Sequence, residues 1–346
     1  MAININVTIG PSTAPPFAPD VWTDITPPAP GFGSTFGCVA SAFDPNHRST
    51  LYCTVNSVGL YKSTDWGTNW SLIGSFTNPV AVSVDPADSN HIIVLQGVAV
   101  SGNGFWVSQD GGVTWNIPAG FSSVSPTLDV TTLVHDPDDW NHILVGSHSA
   151  WSGFTGGGVL ESSDGGTTWT KHDPVSSWPA GSIGIGFLTN STTWLVMTDG
   201  DGFWKTSNSG TSWNQVSTQN QPHGAAKLYR ATTGKIYSGG TLYPLVSSDE
   251  GDSWAQLTDL GAFYYFTIFG DGTTLYTGPS FPGTNGASGL GPVPFFVSAE
   301  TDGVNYDAQP GGQAFINGPA EMHFDSVNSI LYAPCWGAGF QAMLVS

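Results

Sequence analysis

Residues 63–70 read STDWGTNW, and four further stretches of the chain repeat this eight-residue phrase with small changes. Each copy begins with serine or threonine, has aspartate or asparagine two positions later, and ends with tryptophan. The other copies are SQDGGVTW at 108–115, SSDGGTTW at 162–169, TSNSGTSW at 206–213 and SSDEGDSW at 247–254. Their first residues are 45, 54, 44 and 41 positions apart along the chain. A period of this length with one motif per repeat is typical of the four-stranded blades of a β-propeller.

Each copy lies between two short apolar stretches, so we interpret it as the turn of a β-hairpin. In such a turn an aspartate side chain accepts hydrogen bonds from nearby backbone N–H groups. Glycine allows a positive φ, and tryptophan buries a large apolar surface. Chemistry seldom recurs in every blade of a ring. We therefore assign a structural role to the residues at the third position of the phrase: Asp65, Asp110, Asp164, Asn208 and Asp249.

The phrase resembles the Asp-box, or BNR repeat, of the sialidase-like β-propeller superfamily. The resemblance extends over nearly the whole chain, and five copies make it specific for the fold. It is far less specific for activity, because sialidases, xyloglucan hydrolases, sortilin-type receptors and photosystem assembly factors all carry the repeat. In style the chain is most similar to the xyloglucanase-type propellers of glycoside hydrolase family 74.

Counting the strands between the boxes gives seven blades. A degenerate sixth copy at 299–306 keeps Gly303 and has Tyr306 in place of tryptophan. Trp22 lies where a box would end and Ser346 where one would begin, so the N-terminal strand is expected to complete the last blade and remove free sheet edges. The sequence predicts an all-β, seven-bladed propeller of four-stranded blades over residues 21–346. Residues 1–20 form an N-terminal arm and proline-rich linker that either packs along the ring or joins another subunit into a homo-oligomer.

The charge of the chain excludes several classes of partner. The net charge is −19, and the chain has only two arginines, Arg48 and Arg230. Such a chain repels nucleic acid and anionic membranes. Sialidases of the resembling superfamily clamp a carboxylate with three arginines, so sialidase activity is not expected, and lyases of polyuronates are disfavoured for the same reason. A neutral poly- or oligosaccharide is the expected partner.

No stretch approaches the roughly 18 apolar residues of a membrane span, and no basic, apolar leader opens the chain. We expect an extracellular protein in its mature form, with a cytoplasmic or virion location left open. Cys38 and Cys53 fall on neighbouring strands, where bonding stays undecided, and Cys335 is left over. The cysteine spacing matches no zinc motif, and neither a metal site nor a cofactor is predicted.

A unique site is expected on the face opposite the boxes, because the loops there differ between blades. The long loops at 147–156 and 278–293 would form the walls of one cleft. Aromatic residues on this face offer flat surfaces to sugar rings: Phe32, Phe36, Trp151, Phe154, Tyr264, Phe281 and Trp336. We assign substrate binding to Asp129, His148, Trp151, Tyr264, His323 and Trp336. Ordinary loop packing is the alternative for each of these residues.

Catalysis is assigned to Asp199, Asp201, His223 and Glu321. The stretch VMTDGDGFW at 196–204 is similar to the Thr-Asp-x-Gly-Gly-aromatic pattern in which family 74 hydrolases carry a catalytic aspartate. Thr198, Asp199 and Gly202 match that pattern and Asp201 departs from it. The family places its two catalytic carboxylates on two propellers, so in this chain the second one would come from another blade or another subunit. Asp-Gly-Asp-Gly is also a good hairpin turn.

The histidines permit a different chemistry, in which one of them acts as a general base near neutral pH. Together with Tyr264 or Tyr265 such a base would suit a lyase or a His-dependent glycosidase on a single propeller. The sequence therefore favours a carbohydrate-active propeller with a single cleft that cleaves a neutral poly- or oligosaccharide, as a glycoside hydrolase first and a lyase second. The alternative is a non-catalytic glycan- or protein-binding scaffold of a cell surface or virion.

Overall fold

The chain folds into a ring of seven antiparallel sheets, which confirms the predicted propeller. The structure, a computed structural model, describes residues 14–29, 37–97, 104–124, 129–151, 153–224, 226–280, 293–309, 314–315, 317–335 and 339–346. The first strands of neighbouring blades contact one another around the centre of the ring. Within the described residues no helix is both long and apolar enough to span a membrane.

In each blade the strands follow one another from the centre of the ring outward. The first strand of the chain, β1 (Thr23–Asp24), belongs to the last blade. Blade 1 contains β2 (Cys38–Phe43), β3 (Leu51–Val55), β4 (Gly59–Ser63) and β5 (Ser71–Gly74). Blade 2 contains β6 (Pro79–Asp85), β7 (Asp88–Gln96) and β8 (Gly104–Ser108), and its fourth strand is reduced to a backbone bridge between Val107 and Asn116. Blade 3 contains β9 (Val130–Asp136), β10 (Asp139–Ser147), β11 (Val159–Ser162) and β12 (Thr170–His172).

The remaining blades follow the same order. Blade 4 contains β13 (Ile183–Asn190), β14 (Thr193–Thr198), β15 (Phe203–Thr206) and β16 (Asn214–Ser217). Blade 5 contains β17 (Leu228–Arg230), β18 (Ile236–Ser238), β19 (Leu245–Ser247) and β20 (Ala255–Gln256). Blade 6 contains β21 (Ile268–Gly270), β22 (Thr274–Thr277), β24 (Phe296–Ala299) and β25 (Asp307–Ala308), with a small added sheet of β23 (Val293–Pro294) and β26 (Ala314–Phe315). Blade 7 contains β27 (His323–Asp325), β28 (Ile330–Pro334), β29 (Phe340–Leu344) and β1.

Backbone pairing between the two ends of the chain closes the ring. Strand β1 pairs antiparallel with β29, and the amide of Ile25 donates to the carbonyl of Phe340 at 2.9 Å. The pairing extends upstream of β1, because the amide of Asp20 donates to the carbonyl of Leu344 at 2.8 Å. The closure predicted between the N-terminal strand and the last blade is therefore confirmed.

The box turns share one hydrogen-bond pattern, which the third box shows clearly. Ser162 Oγ donates to Asp164 Oδ1 at 2.9 Å and accepts from the amide of Gly166 at 2.8 Å. The amide and the hydroxyl of Thr168 donate to the two oxygens of Asp164 at 2.8 and 2.6 Å. In the second box the hydroxyl of Thr114, followed by its amide, lowers the pKa of Asp110 to about 2. The carboxylates of the boxes are therefore held as acceptors by their own turns.

Each box turn also sits on the preceding blade. A Cβ added to Gly166 would lie 2.3 Å from Cε1 of Phe105, and one added to Gly112 would lie 2.5 Å from Cδ1 of Ile73. Phe105 belongs to blade 2 and Ile73 to blade 1, so each glycine contacts the blade before its own. Trp115 adds a hydrogen bond from Nε1 to the carbonyl of Ile73 at 3.1 Å. The boxes thus join neighbouring blades as well as forming hairpin turns.

Trp66 is the bulkiest residue at a position that all five boxes hold in the left-handed region. It has φ 62°, and the fourth and fifth boxes have Ser209 and Glu250 there with φ 50° and 58°. A bulky residue in that region costs about 1–3 kcal/mol. Trp66 is buried in one apolar cluster with Phe17 and Ile25, and burial of a large apolar side chain recovers an amount of the same order. Trp66 therefore holds the segment that precedes β1 against the ring.

The joint between blades 2 and 3 contains the single described helix, α1 (Ala119–Val124). Phe121 is buried, with its ring centroid 5.9 Å from that of Phe105 and 5.3 Å from that of Trp169.

Blade 1 carries the two neighbouring cysteines, whose Sγ atoms lie 2.9 Å apart. Cys38, Cys53 and Cys335 are all buried free thiols in the structure.

The box pattern makes a prediction for stability. Asn208 accepts from the amide of Ser212 at 3.0 Å and donates from Nδ2 to its hydroxyl at 3.0 Å, so asparagine supports the same turn. Asp164→Asn should therefore leave the free energy of unfolding nearly unchanged, whereas Asp164→Ala should lower it by about 1 kcal/mol because the turn loses its acceptors. Urea unfolding of both variants measures this. Equal effects of the two substitutions would contradict the proposed role of the side chain.

Candidate active site

The two faces of the ring differ in what they carry. Because successive strands run in opposite directions, the turns between third and fourth strands lie on one face, which we call the box face. The ends of second strands and the connections between blades lie on the opposite face, which we call the open face. The described site residues lie at such positions on or near the open face: Asp129, His148, Trp151, Asp199, Asp201, His223, Tyr264, Glu321 and His323.

Four of these residues form one continuous chain of side-chain contacts. Asp129 Oδ2 lies 2.9 Å from His148 Nδ1, His148 Nε2 lies 3.2 Å from His223 Nε2, and His223 Nδ1 lies 2.7 Å from Asp199 Oδ2. Asp129 and His148 flank the first two strands of blade 3. Asp199 follows the second strand of blade 4, and His223 lies in the connection from blade 4 to blade 5. The structure thus brings together two residues assigned to substrate binding and two assigned to catalysis.

The turn after β14 fixes the position of Asp199. Thr198 is buried, and its hydroxyl donates to the carbonyl of Gly202 at 3.0 Å and accepts from the amide of Asp201 at 2.8 Å. The amide of Gly202 donates to Asn220 Oδ1 at 2.9 Å. With its backbone anchored in this way, Asp199 projects from the turn with 32% of its side chain exposed.

The connection that carries His223 is tied to blade 4 by buried side chains. Gln221 Nε2 donates to the carbonyl of Ser182 at 2.5 Å, and Gln221 Oε1 accepts from the amide of Ala226 at 2.9 Å. Next to His223, the amide of Gly224 donates to Ser182 Oγ at 3.0 Å. His223 is therefore held by a rigid segment although 59% of its side chain is exposed.

The two histidines of this chain of contacts, His148 and His223, differ in exposure and in their surroundings. His148 is mostly covered, and its backbone amide also donates to the carbonyl of Asp129 at 2.6 Å. The hydrogen bond to Asp199 raises the pKa of His223 above its ordinary value of 6.5, and this effect outweighs the opposing effect of partial burial. Of the two histidines in the contact chain, His223 is thus the one that is exposed and has a raised pKa, so it is the one that favours the protonated form.

Asp201 lies on the same turn as Asp199 but stands outside the chain of contacts. Its backbone carbonyl accepts from Trp204 Nε1 and from Gln215 Nε2, both at 2.9 Å. Its Oδ2 is buried and has no hydrogen-bond donor among the described residues. The carboxylate of Asp201 therefore makes no described hydrogen bond with His223.

Glu321 forms a second polar cluster, which joins three blades across the centre of the ring. Its Oε1 accepts from the amide of Ser41 at 2.6 Å and lies 3.0 Å from His323 Nε2, and its Oε2 lies 3.5 Å from Lys227 Nζ. Burial alone would raise the pKa of Glu321. The charges of His323 and Lys227, together with the hydrogen bonds, outweigh burial and hold the pKa below its ordinary value of 4.5.

The aromatic residues assigned to sugar binding differ in what they offer. Trp151 is buried and has Lys171 Nζ 4.6 Å from its ring centroid. Phe154, beside it, is exposed and lies 5.1 Å from the same ammonium group. Tyr264 is half-buried, and its carbonyl accepts from the amide of Ser280 at 2.7 Å. The remaining aromatic residues of the prediction lie outside the described residues: Phe32, Phe36, Phe281 and Trp336.

Sequence reasoning missed the residues that support the site from below. Lys227 was not singled out, although it directly precedes the inner strand of blade 5 and is one of few basic residues. Gln221, Ser182 and Asn220 were missed as well, because uncharged residues in a connection carry no pattern that marks them as anchors. The position of Lys227 at the start of an inner strand was the one available signal.

No family model matches the chain. A xyloglucanase of Hypocrea jecorina is 29% identical over 298 residues, which cover 75% of this chain and 31% of that protein. A xyloglucanase of Paenibacillus is 23% identical over 299 residues, which cover 73% of this chain and 28% of that protein. The chain thus spans about a third of the length of the curated relatives it matches.

Solved structures with the same fold include family 74 enzymes and a protein similar in extent to this chain. The family 74 xyloglucanase of Xanthomonas campestris superposes with a TM-score of 0.65 at 15% identity, covering 93% of this chain and 53% of that chain. YCF48 of Cyanidioschyzon merolae gives 0.63 at 12% identity, covering 94% of this chain and 98% of that one. The structure of YCF48 bound to D1 peptide superposes with a TM-score of 0.62 at 12% identity, covering 96% of this chain and 100% of that chain. At these identities the likeness establishes the fold alone.

The Glu321 cluster makes a prediction for acid stability. A carboxylate with a lowered pKa in the folded state contributes stability above its unfolded pKa and loses it as the pH falls through the folded value. Glu321→Gln should lower the free energy of unfolding at pH 7 by about 1–3 kcal/mol, because Lys227 loses its counter-charge. It should also flatten the decline of stability between about pH 5 and pH 3. Urea unfolding across this range measures both effects.

The control for this measurement is Glu250→Gln, which changes an exposed glutamate on the box face. We expect the control to follow the wild-type protein over the whole pH range. If the free energy of unfolding fell by the same amount between about pH 5 and pH 3 in the Glu321→Gln variant and in the wild-type protein, Glu321 would not be held ionised by its neighbours.

Proposed function

We propose that this chain is the propeller of a glycoside hydrolase that cleaves a neutral polysaccharide of the xyloglucan type, with Asp199 as a catalytic carboxylate. The observation that carries the proposal is the placement of Asp199, which ends the second strand of blade 4 on the open face and is held 2.7 Å from His223. The curated relatives at 29% and 23% identity are xyloglucanases, which supports the substrate class.

The charge of the chain supports a neutral substrate. The net charge is −19, and Asp129 and Asp199 place two carboxylates at the ends of the contact chain on the open face. On the same face, the basic side chain of Lys227 is already engaged by Glu321 at 3.5 Å. A polyanionic glycan would be repelled here, whereas hydroxyl groups find acceptors in the carboxylates and imidazoles.

The proposed roles follow from the needs of hydrolysis. One group must take a proton from the attacking water and another must protonate the leaving oxygen. Asp199 uses Oδ2 to accept from His223, and no described donor occupies Oδ1, so Oδ1 is placed to accept a proton from water. We assign the leaving-group proton to His223, because it is exposed and its pKa is raised.

The other assigned residues take supporting parts in this proposal. Glu321 holds the charges of Lys227 and His323 in the centre of the ring, and Asp201 shapes the turn that presents Asp199. Sugar contacts are proposed for Tyr264, His323 and Trp336, with Trp151 supporting the exposed ring of Phe154 from beneath. Lyase chemistry stays second, because it would need a group that neutralises a substrate carboxylate.

Activity on polysaccharides tests the proposal. The full 346-residue chain should release reducing ends from xyloglucan, and Asp199→Asn should lower the rate at least about 100-fold because the proton acceptor is lost. The matched control is Asp164→Asn, which makes the same change on the box face. Equal rates for the wild-type protein and the Asp199→Asn variant would refute the assignment of Asp199.

One observation favours a second function, that of a non-catalytic binding scaffold. The chain covers 98% of YCF48 but 53% of the Xanthomonas xyloglucanase, so as a single ring it corresponds in extent to a protein whose relative was solved with a bound peptide. The proposal of a scaffold predicts that the chain binds a glycan or peptide on the open face and releases no reducing ends from any polysaccharide.

We also propose the finer placement of the chain. The shared box pattern supports membership of the Asp-box superfamily. We keep the proposed division into an arm over residues 1–20 and a single propeller over residues 21–346, and the burial of Phe17 in a cluster of the ring supports an arm whose end packs along the propeller. An extracellular location suits an enzyme whose polymeric substrate cannot enter a cell. The arm remains the proposed route to a homo-oligomer.

A further inference from the structure

The contact chain on the open face has an unusual requirement for protons. It contains three contacts, at 2.9, 3.2 and 2.7 Å, which run from Asp129 through His148 and His223 to Asp199. Every contact of this kind needs one proton between its two atoms, because two lone pairs facing each other at such a distance repel. The contact chain therefore needs three protons, one for each of its three contacts.

Two ionised aspartates and two neutral histidines supply only two of these protons. A neutral imidazole carries a proton on one ring nitrogen, and both Nδ1 atoms need theirs to donate to a carboxylate. Both Nε2 atoms would then be bare, and they lie 3.2 Å apart. One additional positive species is needed between His148 and His223, and either a proton or a metal ion would meet that need.

The described residues favour the proton. No group of three or more histidine, cysteine, aspartate or glutamate side chains suited to a metal ion occurs among them. The charged and titratable groups that contact the two rings are Asp129 from blade 3 and Asp199 from blade 4, while Oδ2 of Asp201 on the same turn is buried without a described donor. Two carboxylates around two imidazoles stabilise one added positive charge and disfavour a second, because two imidazolium rings in contact would repel.

We infer that His148 and His223 share a single proton through their Nε2 atoms, so that blade 3 supplies half of the acid of the proposed active site. The inference rests on the proposed function, and under it Asp129 and His148 are positioning residues. They keep His223 protonated and oriented while its Nδ1–H holds Asp199. During hydrolysis the shared proton passes to the leaving oxygen as the bond from carbon to that oxygen breaks. Asp199 takes one proton from the water that forms the new bond, and its transfer back to the histidines restores the site.

Histidine NMR tests the shared proton without any need for activity. With the full chain labelled with 15N and kept in a chelator, the ring signals of His148 and His223 should move together in one transition above pH 6.5, the ordinary histidine value. The amplitude should correspond to one proton for the two rings. In Asp129→Asn the transition should fall by about one pH unit, because one of the two stabilising charges is lost.

A second variant keeps the test decisive if Asp129→Asn disturbs the fold. In His148→Gln the His223 signal should show a full one-proton transition of its own, since no second imidazole shares the charge. His47, which is largely exposed and contacts Asp44 on the box face, reports unrelated changes and should titrate alike in all variants. Two independent full transitions for His148 and His223 in the wild-type protein would overturn the inference.

Added Zn²⁺ separates the proton from the metal alternative. Once the chelator has been removed, we expect the transition of the two rings to be unchanged by an equimolar amount of Zn²⁺. Its abolition, with both ring signals fixed at one position, would overturn the inference in favour of a metal site. If instead the shared transition is present but the chain releases no reducing ends, the shared proton stands and the proposed hydrolase function fails.

Discussion

The fold depends on the seating of each box turn against the blade before it. The turn is closed by its own side chains, as when Ser162 donates to Asp164 at 2.9 Å. Its glycine then approaches the neighbouring blade so closely that even a methyl group would collide, 2.3 Å from Phe105 in the case of Gly166. Because every such contact joins two successive blades, the repeat fixes the angle between blades. Closure of β1 on β29 completes the same arrangement at the ends of the chain.

The sequence was sufficient for the fold because the information for it is local. A box, its spacing and the alternation around it specify one hairpin each, and the closing strand could be deduced because Trp22 lacks a blade of its own. Trp66 shows the limit of such reasoning. A tryptophan with φ 62° is explained by its burial in one apolar cluster with Phe17, which no local pattern indicates.

The site was predicted in part, and the reason is again physical. The open face followed from strand direction, and Asp199 followed from a resemblance in its turn. The contact of His148 with His223 joins residues 75 positions apart in the chain. It depends on the angle between blades 3 and 4 and on anchors such as Gln221, neither of which has a sequence signature. The same holds for Lys227 and Glu321, which meet across the centre of the ring.

The reactive groups lie on the open face, where the loops differ from blade to blade, and not on the box face, where the same turn recurs. On the box face the aspartates at the third position of the boxes are occupied by their own turns, so that Asp110 keeps a pKa of about 2. On the open face the carboxylates of Asp129 and Asp199 are turned toward histidines, and one of these histidines is exposed. A ring built from nearly identical joints thus carries one region of distinct chemistry. Among the residues that the structure describes on this face no contact residue recurs from blade to blade, which is consistent with one cleft rather than a site in each blade.

The most direct test of this account is a crystal structure of the Asp199→Asn variant with a xyloglucan-derived oligosaccharide. We expect the sugar to lie on the open face, with one glycosidic oxygen within hydrogen-bond distance of His223 and a hydroxyl group or water at residue 199. An oligosaccharide bound along the box face, or on the open face away from His223, would contradict the assignment of this site.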